Sequence, residues 1–148
     1  MHFYLLITGL LTLDQIVKVI VRQNMTLGQS IPLLPGIFQL TYVENPGAAF
    51  GMLANQRFFF IVITIAVLGI FFYLYTQLAN KKSLAAVALA LSISGAVGNF
   101  IDRLFRGTVT DLFDFCLISF PVFNIADICI CLGIALIFYL LIVKGEDF

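Results

Sequence analysis

Charge is what this chain has least of. Only 11% of its 148 residues are Asp, Glu, Lys or Arg, against roughly 25% in soluble domains. That shortage excludes an ordinary soluble domain. Eight basic residues balance eight acidic ones, so no basic patch points to nucleic acid. There is one histidine, His2, beside the start. Without a Cys/His cluster it gives little from which to build a metal site, and nothing resembles a Ser/His/Asp triad. A Ser–Lys pair from Ser83 with Lys81 or Lys82 falls on the opposite side of the membrane from every other polar group. Cysteines are few and odd in number (Cys116, Cys129, Cys131). On a helix, Cys129 and Cys131 point about 200° apart. They read as small hydrophobes buried in the last helix rather than a Cys-x-Cys pair, with Cys116 outside the membrane.

Apolar residues fill the gap: 61% of the chain is hydrophobic, with sixteen Phe, and the mean hydropathy is +1.08. The expected class is an all-α membrane protein, one domain over 1–148, with four transmembrane helices at about 3–22, 57–79, 84–102 and 122–143. Each is long enough at ~1.5 Å per residue to cross a ~30 Å hydrocarbon core. The first run starts MHFYLL without a basic cluster and is interrupted by Asp14 and Lys18, so it reads as a retained span rather than a cleaved leader. Asp14 and Lys18 are i,i+4 with the acid first, the favourable order for a same-face pair.

Residues 23–56 differ, with three of the four prolines and turn signals at Pro35-Gly36 and Asn45-Pro46-Gly47. Between them, 37–43 (IFQLTYV) carries a strand signal, and a small extramembrane β-cradle closed at 45–47 is expected in this first outer loop, since open-edged backbone cannot face lipid. Residues 48–53 lead back to the membrane. A short polar turn at 80–83 makes the second and third spans an antiparallel hairpin, and the Ala/Ser/Gly-rich third span should be the most tightly packed. Residues 106–121 read as a loop lying against the bilayer surface.

Gly95 to Asp127 organises the rest. It holds Asp102, Asp111, Asp114 and Asp127 together with Asn99, Arg103, Arg106 and Asn124, in a setting where an ionisable group costs several kcal/mol unless paired or wet. Gly95, Asn99 and Asp102 form one helical stripe. Asn124 and Asp127 share a face at the start of the fourth span, and Asp111 lies on the connection before it. Asp111 and Asp127 can therefore meet just below the membrane surface. Two carboxylates sharing a proton activate water: repulsion splits their pKa values, leaving one acid and one base. The plainer alternative makes Asp102–Arg103 and Asp111–Arg106 interfacial salt bridges and Asp127 a helix-start residue.

These residues resemble the lipoprotein signal peptidases (signal peptidase II) of bacteria. Asp14-Gln15 with Lys18, Asn45-Pro46-Gly47-Ala48-Ala49-Phe50, Gly95 with Gly98-Asn99-x-x-Asp102-Arg103, Val109-Thr110-Asp111 and Phe123-Asn124-x-Ala126-Asp127 fit five family motifs in order. The resemblance implies an aspartic endopeptidase, without metal or other cofactor, that removes signal peptides from prolipoproteins by cutting before a diacylglyceryl-modified cysteine. It implies Asp111 and Asp127 as catalytic. Asn45, Gly47, Asn99, Arg103 and Asn124 would position substrate or the pair, and Asp14, Lys18 and Asp102 would support the site. Membrane lipid and globomycin-type inhibitors are the further expected partners. Asp114 lies outside the motifs.

Lysine and arginine counts leave orientation undecided once Lys18 and Arg103 are discounted as internal. The resemblance sets it: the outer loops and the site near the outer face of the bacterial cell membrane, both termini cytoplasmic. Two rival readings remain. One is a four-helix proton-coupled transporter with Asp14 as carrier, which fits poorly with a long first loop and acids gathered at one face. The other is a non-catalytic scaffold, which has no use for two acids and two asparagines at these positions.

Overall fold

The computed structural model describes residues 2–47, 53–78 and 83–145. Four helices in it are long and apolar enough to cross a membrane: α1 (His2–Asn24), α2 (Arg57–Gln77), α3 (Leu84–Arg106) and α4 (Ile125–Ile142). Three strands, β1 (Ser30–Leu34), β2 (Phe38–Asn45) and β3 (Val109–Phe115), form an antiparallel sheet in the order β1-β2-β3.

α3 is the axis, with the other three helices packed on it. Its face of Ala85, Ala86, Ala88, Leu89, Ala90, Ser92 and Ile93 is buried, because small side chains let backbones approach where lipid offers no hydrophobic drive. The closest approach is to α4. A Cβ on Gly95 would lie within contact of the Ala126 carbonyl and 2.8 Å from Ile130 Cγ1. One on Gly98 would lie 2.7 Å from Asp14 Oδ2. α2, by contrast, has no buried residue and turns most of its Phe, Ile and Val surface outward, which suits a lipid-facing helix.

Several boundaries differ from the sequence expectation. α3 runs one turn past 102 to Arg106 and ends on Gly107 at φ 86, a left-handed cap that glycine adopts without Cβ strain. α4 starts at Ile125 rather than 122, because Asn124 is its N-cap. The segment 106–121 is not simply a loop: Val109–Phe115 is β3, paired to β2 with Phe38 opposite Phe115 and Asn45 opposite Val109. β1 gave too short a signal to be anticipated, although its turn to β2 falls at Pro35-Gly36, with Gly36 at φ 73. The expected return at 48–53 and turn at 80–83 lie mostly outside the described residues.

Val21 and Met25 at the end of α1 pack on Tyr42 and Leu112, fixing the sheet to the bundle. Glu44 adds a polar tie. Burial works against its charge, but hydrogen bonds from Thr108, Tyr42 and Arg106 outweigh that and hold its carboxyl at about 2. Cys129 is buried, as expected; Cys131 is exposed rather than buried, because two residues on from a buried position a helix faces outward. Cys116, after β3, is exposed.

Candidate active site

α1 contributes a stripe of charge. Lys18, fully buried, places Nζ 3.0 Å from Asp14 Oδ2 and 3.0 Å from Asp102 Oδ2. Lys18 also donates to Asn99 Oδ1 at 3.0 Å. One turn on, Arg22 donates to Thr110 Oγ1 at 3.0 Å and stands 3.6 Å from Asp102 Oδ1. Asp102 thus lies between two cations, and also accepts the Thr110 N–H at 3.3 Å. Asp14 Oδ1 accepts the Ala126 N–H at 3.0 Å, so α1 grips the first turn of α4. Buried charges in this setting persist because each is paired and hydrogen-bonded.

Around this lie two more carboxylates. Asp111, on β3, accepts Asn124 Nδ2 at 2.7 Å on Oδ1 and Asn45 Nδ2 at 3.0 Å on Oδ2. Asp127, in the first turn of α4, accepts Asn99 Nδ2 at 2.7 Å on Oδ1 and the Asn124 backbone N–H at 3.1 Å on Oδ2. Asn124 caps α4 reciprocally, its Oδ1 taking the Asp127 N–H at 2.9 Å, which satisfies two of the helix's orphan donors. One fully buried asparagine therefore touches both carboxylates. Burial first, and then the charge of Asp127, push the Asp111 carboxyl up to about 7, against the opposing pull of Asn45, Asn124 and Lys18.

Arg103 does not pair with Asp102. Its Nη2 donates to the Gly47 carbonyl at 2.9 Å and its guanidinium lies 4.7 Å from the Phe60 ring centroid. Gly47 in turn donates its N–H to Asn45 Oδ1 at 2.9 Å, a local turn that aims the Asn45 amide nitrogen at Asp111. The two salt bridges of the plainer alternative are overturned: Asp102 pairs with Lys18 and Arg22, and Arg106 pairs with Glu44 at 2.6 Å. Its third part holds, since Asp127 is a helix-start residue that closes the α4 capping box. Asp114 is set apart by strand alternation. It lies on the face of β3 opposite Asp111, where Oδ2 accepts Gln39 Nε2 and Thr41 Oγ1, both at 2.7 Å.

Asp111, Asp127, Asn45, Asn99, Gly47 and Arg103 line a cavity of about 610 Å³. Its other walls are apolar: Ile63, Thr64 and Val67 of α2, Ala96 of α3, Ile128, Ile130, Cys131 and Leu132 of α4, and an aromatic rim of Phe115, Phe120 and Phe123. Among the described residues, no group of three or more His, Cys, Asp and Glu side chains forms a metal cage. The ten expected site residues (Asp14, Lys18, Asn45, Gly47, Asn99, Asp102, Arg103, Asp111, Asn124 and Asp127) thus fall in one network, whereas Asp114 and Arg106 lie apart from it. Three further participants were not singled out: Arg22, Thr110 and Gln15, which donates to Asp14 Oδ2 and the Gly98 carbonyl. Arg22 had a usable signal, lying one turn beyond Lys18 on the Asp14 stripe. Thr110 and Gln15 had theirs in the motifs Val109-Thr110-Asp111 and Asp14-Gln15, but no role was read from them, since that of Thr110 depends on the strand.

The family model described as Signal peptidase (SPase) II matches residues 6–143. The chain belongs to the signal peptidase II family. A lipoprotein signal peptidase of Brevibacillus brevis is 44% identical over 147 residues, covering 99% of this chain and 98% of the relative. One of Bacillus subtilis is 42% identical over 141 residues, covering 93% and 91%. A solved structure described as a bacterial membrane enzyme superposes with a TM-score of 0.93 at 34% identity, over 98% of this chain and 90% of its own. The protein is thus a signal peptidase II by family, a multi-pass membrane protease, and the transporter alternative finds no support.

Proposed function

We propose that Asp111 and Asp127 are the catalytic pair and that the protein cuts prolipoproteins before a diacylglyceryl-modified cysteine. One observation carries this reading: a buried carboxylate and a half-buried one, Asp111 and Asp127, are joined through Asn124 and line a cavity that is otherwise mostly apolar. Polar chemistry at the mouth and a greasy interior suit a peptide bond tethered to acyl chains. In this reading Asp111 holds the shared proton and Asp127 the charge. Asp127 takes a proton from water as its oxygen bonds to the scissile carbonyl carbon, while Asp111 gives its proton to the carbonyl oxygen. Collapse of the tetrahedral adduct breaks the C–N bond: the leaving amine takes up the proton held by Asp127, and one hydroxyl of the adduct returns its proton to Asp111 as the carbonyl re-forms, restoring the pair. Asn45, Asn99 and Asn124 hold the two carboxyls in register, and Arg103 anchors the Gly47 loop beside them. Membrane lipid and globomycin-type inhibitors would enter the same cavity.

The test is cleavage of a lipidated prolipoprotein by purified protein in detergent, run across pH. With Asp111 titrating at about 7, kcat/KM falls as pH rises through that value and the shared proton leaves. It also falls in acid, where both carboxyls are protonated. A rate still climbing at pH 9 is incompatible with a shared proton.

The proposal places the sheet and site at the outer face of the cell membrane and both termini in the cytoplasm. Exposed Cys116 follows β3, whereas buried Cys129 lies within α4. In intact cells a membrane-impermeant maleimide should modify Cys116 and spare Cys129. Modification of Cys116 only after the cytoplasmic face is opened reverses the orientation.

A further inference from the structure

Two asparagine amides stand between the charged stripe of α1 and the two aspartates, and each could in principle present its oxygen or its nitrogen. An ammonium donates only. Lys18 Nζ, 3.0 Å from Asn99 Oδ1, therefore requires the oxygen of Asn99 to face α1. The Asn99 nitrogen is left facing Asp127 Oδ1, at 2.7 Å. Asn99 Oδ1 also receives Asn124 Nδ2 at 3.2 Å, which turns the Asn124 nitrogen towards Asp111 Oδ1 at 2.7 Å. Its oxygen then takes the Asp127 N–H at 2.9 Å. Asn124 is fixed by its own partners as well, the Asp127 N–H on its oxygen and the Thr110 carbonyl 3.4 Å from its nitrogen, so the cation acts on Asn99 and through it on Asp127 Oδ1.

We infer that Lys18 is a positioning residue for cleavage: through a Lys18–Asn99–Asp127 relay it holds the Asn99 amide with its oxygen towards α1, so that the Asn99 nitrogen gives Asp127 Oδ1 a donor to match the Asn124 N–H on Oδ2. The inference rests on the reading of Asp111 and Asp127 as the catalytic pair. It assigns Lys18 more than charge balance. With a donor on each oxygen, Asp127 is fixed in orientation and held as the charged member of the pair. Were the Asn99 amide reversed, its oxygen would meet the Asp127 carboxylate and its nitrogen would face the Lys18 ammonium, donor against donor. Asp127 would then swing away or take the proton itself, at the cost of turnover rather than affinity.

Charge balance and relay polarity can be separated. Asp14 and Lys18 are neutralised together, while Asp102 keeps Arg22 as partner. Asp14→Asn/Lys18→Gln retains a neutral N–H donor towards Asn99; Asp14→Asn/Lys18→Met has nearly the same shape and none. Both carry the same charge. At equal folded amounts, judged by thermal unfolding in detergent, the Met variant should show kcat about 100-fold below the Gln variant, with KM within about threefold. That is the scale of a misplaced reacting group. Equal kcat in the two, or a loss carried by KM, overturns the inference. If neither double variant folds, Asn99→Asp decides: it keeps an acceptor for Lys18 but puts a carboxylate where Asp127 had a donor. A kcat within about threefold of the parent then overturns the relay, and a loss of about 100-fold supports it. Asp127→Asn in the same assay tests the underlying reading by itself; if it cleaves at the parent rate, the dyad fails whatever the Lys18 variants do.

Discussion

Asp111→Asn and Asp127→Asn each lower the rate of prolipoprotein cleavage by about 10³-fold, within the 10²–10⁴ that acid–base catalysis contributes, and both proteins stay folded. In the proposed mechanism, removing Asp127 takes away the group that receives the proton of water, and removing Asp111 takes away the proton offered to the carbonyl. Folding survives because each asparagine keeps one oxygen for the donors already present. At position 111 these are Asn45 and Asn124, and at position 127 Asn99 and the Asn124 N–H. One donor in each case meets an NH₂ instead, at a cost of about 1–3 kcal/mol, partly offset because a carboxylate no longer has to be buried. Asp114→Asn is the control. It lies on the other face of β3 and keeps an oxygen for Gln39 and Thr41, so its rate stays within about tenfold. Initial rates for the three variants decide the matter. An inactive Asp114→Asn beside a fully active Asp111→Asn assigns the chemistry to the wrong acid.

Gly95→Leu abolishes cleavage and lowers the unfolding temperature, although no atom of Gly95 is polar beyond its backbone. A side chain there runs into the Ala126 carbonyl and Ile130, and backbone cannot rotate away as a flexible side chain can. Overpacking alone costs about 1–3 kcal/mol. The functional effect is larger, because Ala126 precedes Asp127 and is held by Asp14. Pushing the start of α4 off α3 carries Asp127 away from Asn99, and a displacement of about 1 Å costs about 10²-fold. Gly9→Leu is the matched control: nothing lies within 4 Å of a Cβ there, so its stability should change by no more than about 0.5 kcal/mol. Thermal unfolding and cleavage in the same detergent compare them. If Gly95→Leu is as harmless as Gly9→Leu, α3 and α4 are not locked at this point.

How much of this was readable beforehand varies with the residue. Asp14 and Lys18 were legible as a pair because helical periodicity alone joins i and i+4, and the pair is present. The apolar runs gave four helices for the same local reason. Asp102 was legible as a site residue but not its partners, since Arg103 next door is the obvious candidate and the actual cations come from α1, some eighty residues earlier. β3 was missed for a related reason: Val109–Phe115 has its hydrogen-bond partners in β2, and pairing across that distance leaves no mark in a short window. Asp111 was placed near Asp127 by chain proximity. The motif already separated Asp111 from Asp114, but the physical reason for that separation is the alternation of a strand that the sequence reading had drawn as a loop.

Asn124 carries a consequence for inhibitor escape. The same side chain starts a membrane helix and contacts both aspartates. Under the proposed function an inhibitor enters the cavity that Asp111 and Asp127 line, and Asn124 stands behind them, fully buried. A substitution there strips the first turn of α4 of its cap and leaves Asp111 without one of its two amide donors, so escape by that route would remove the activity it is meant to preserve. Changes at Ile63, Val67 and Leu132 of the apolar wall would alter shape without touching a proton.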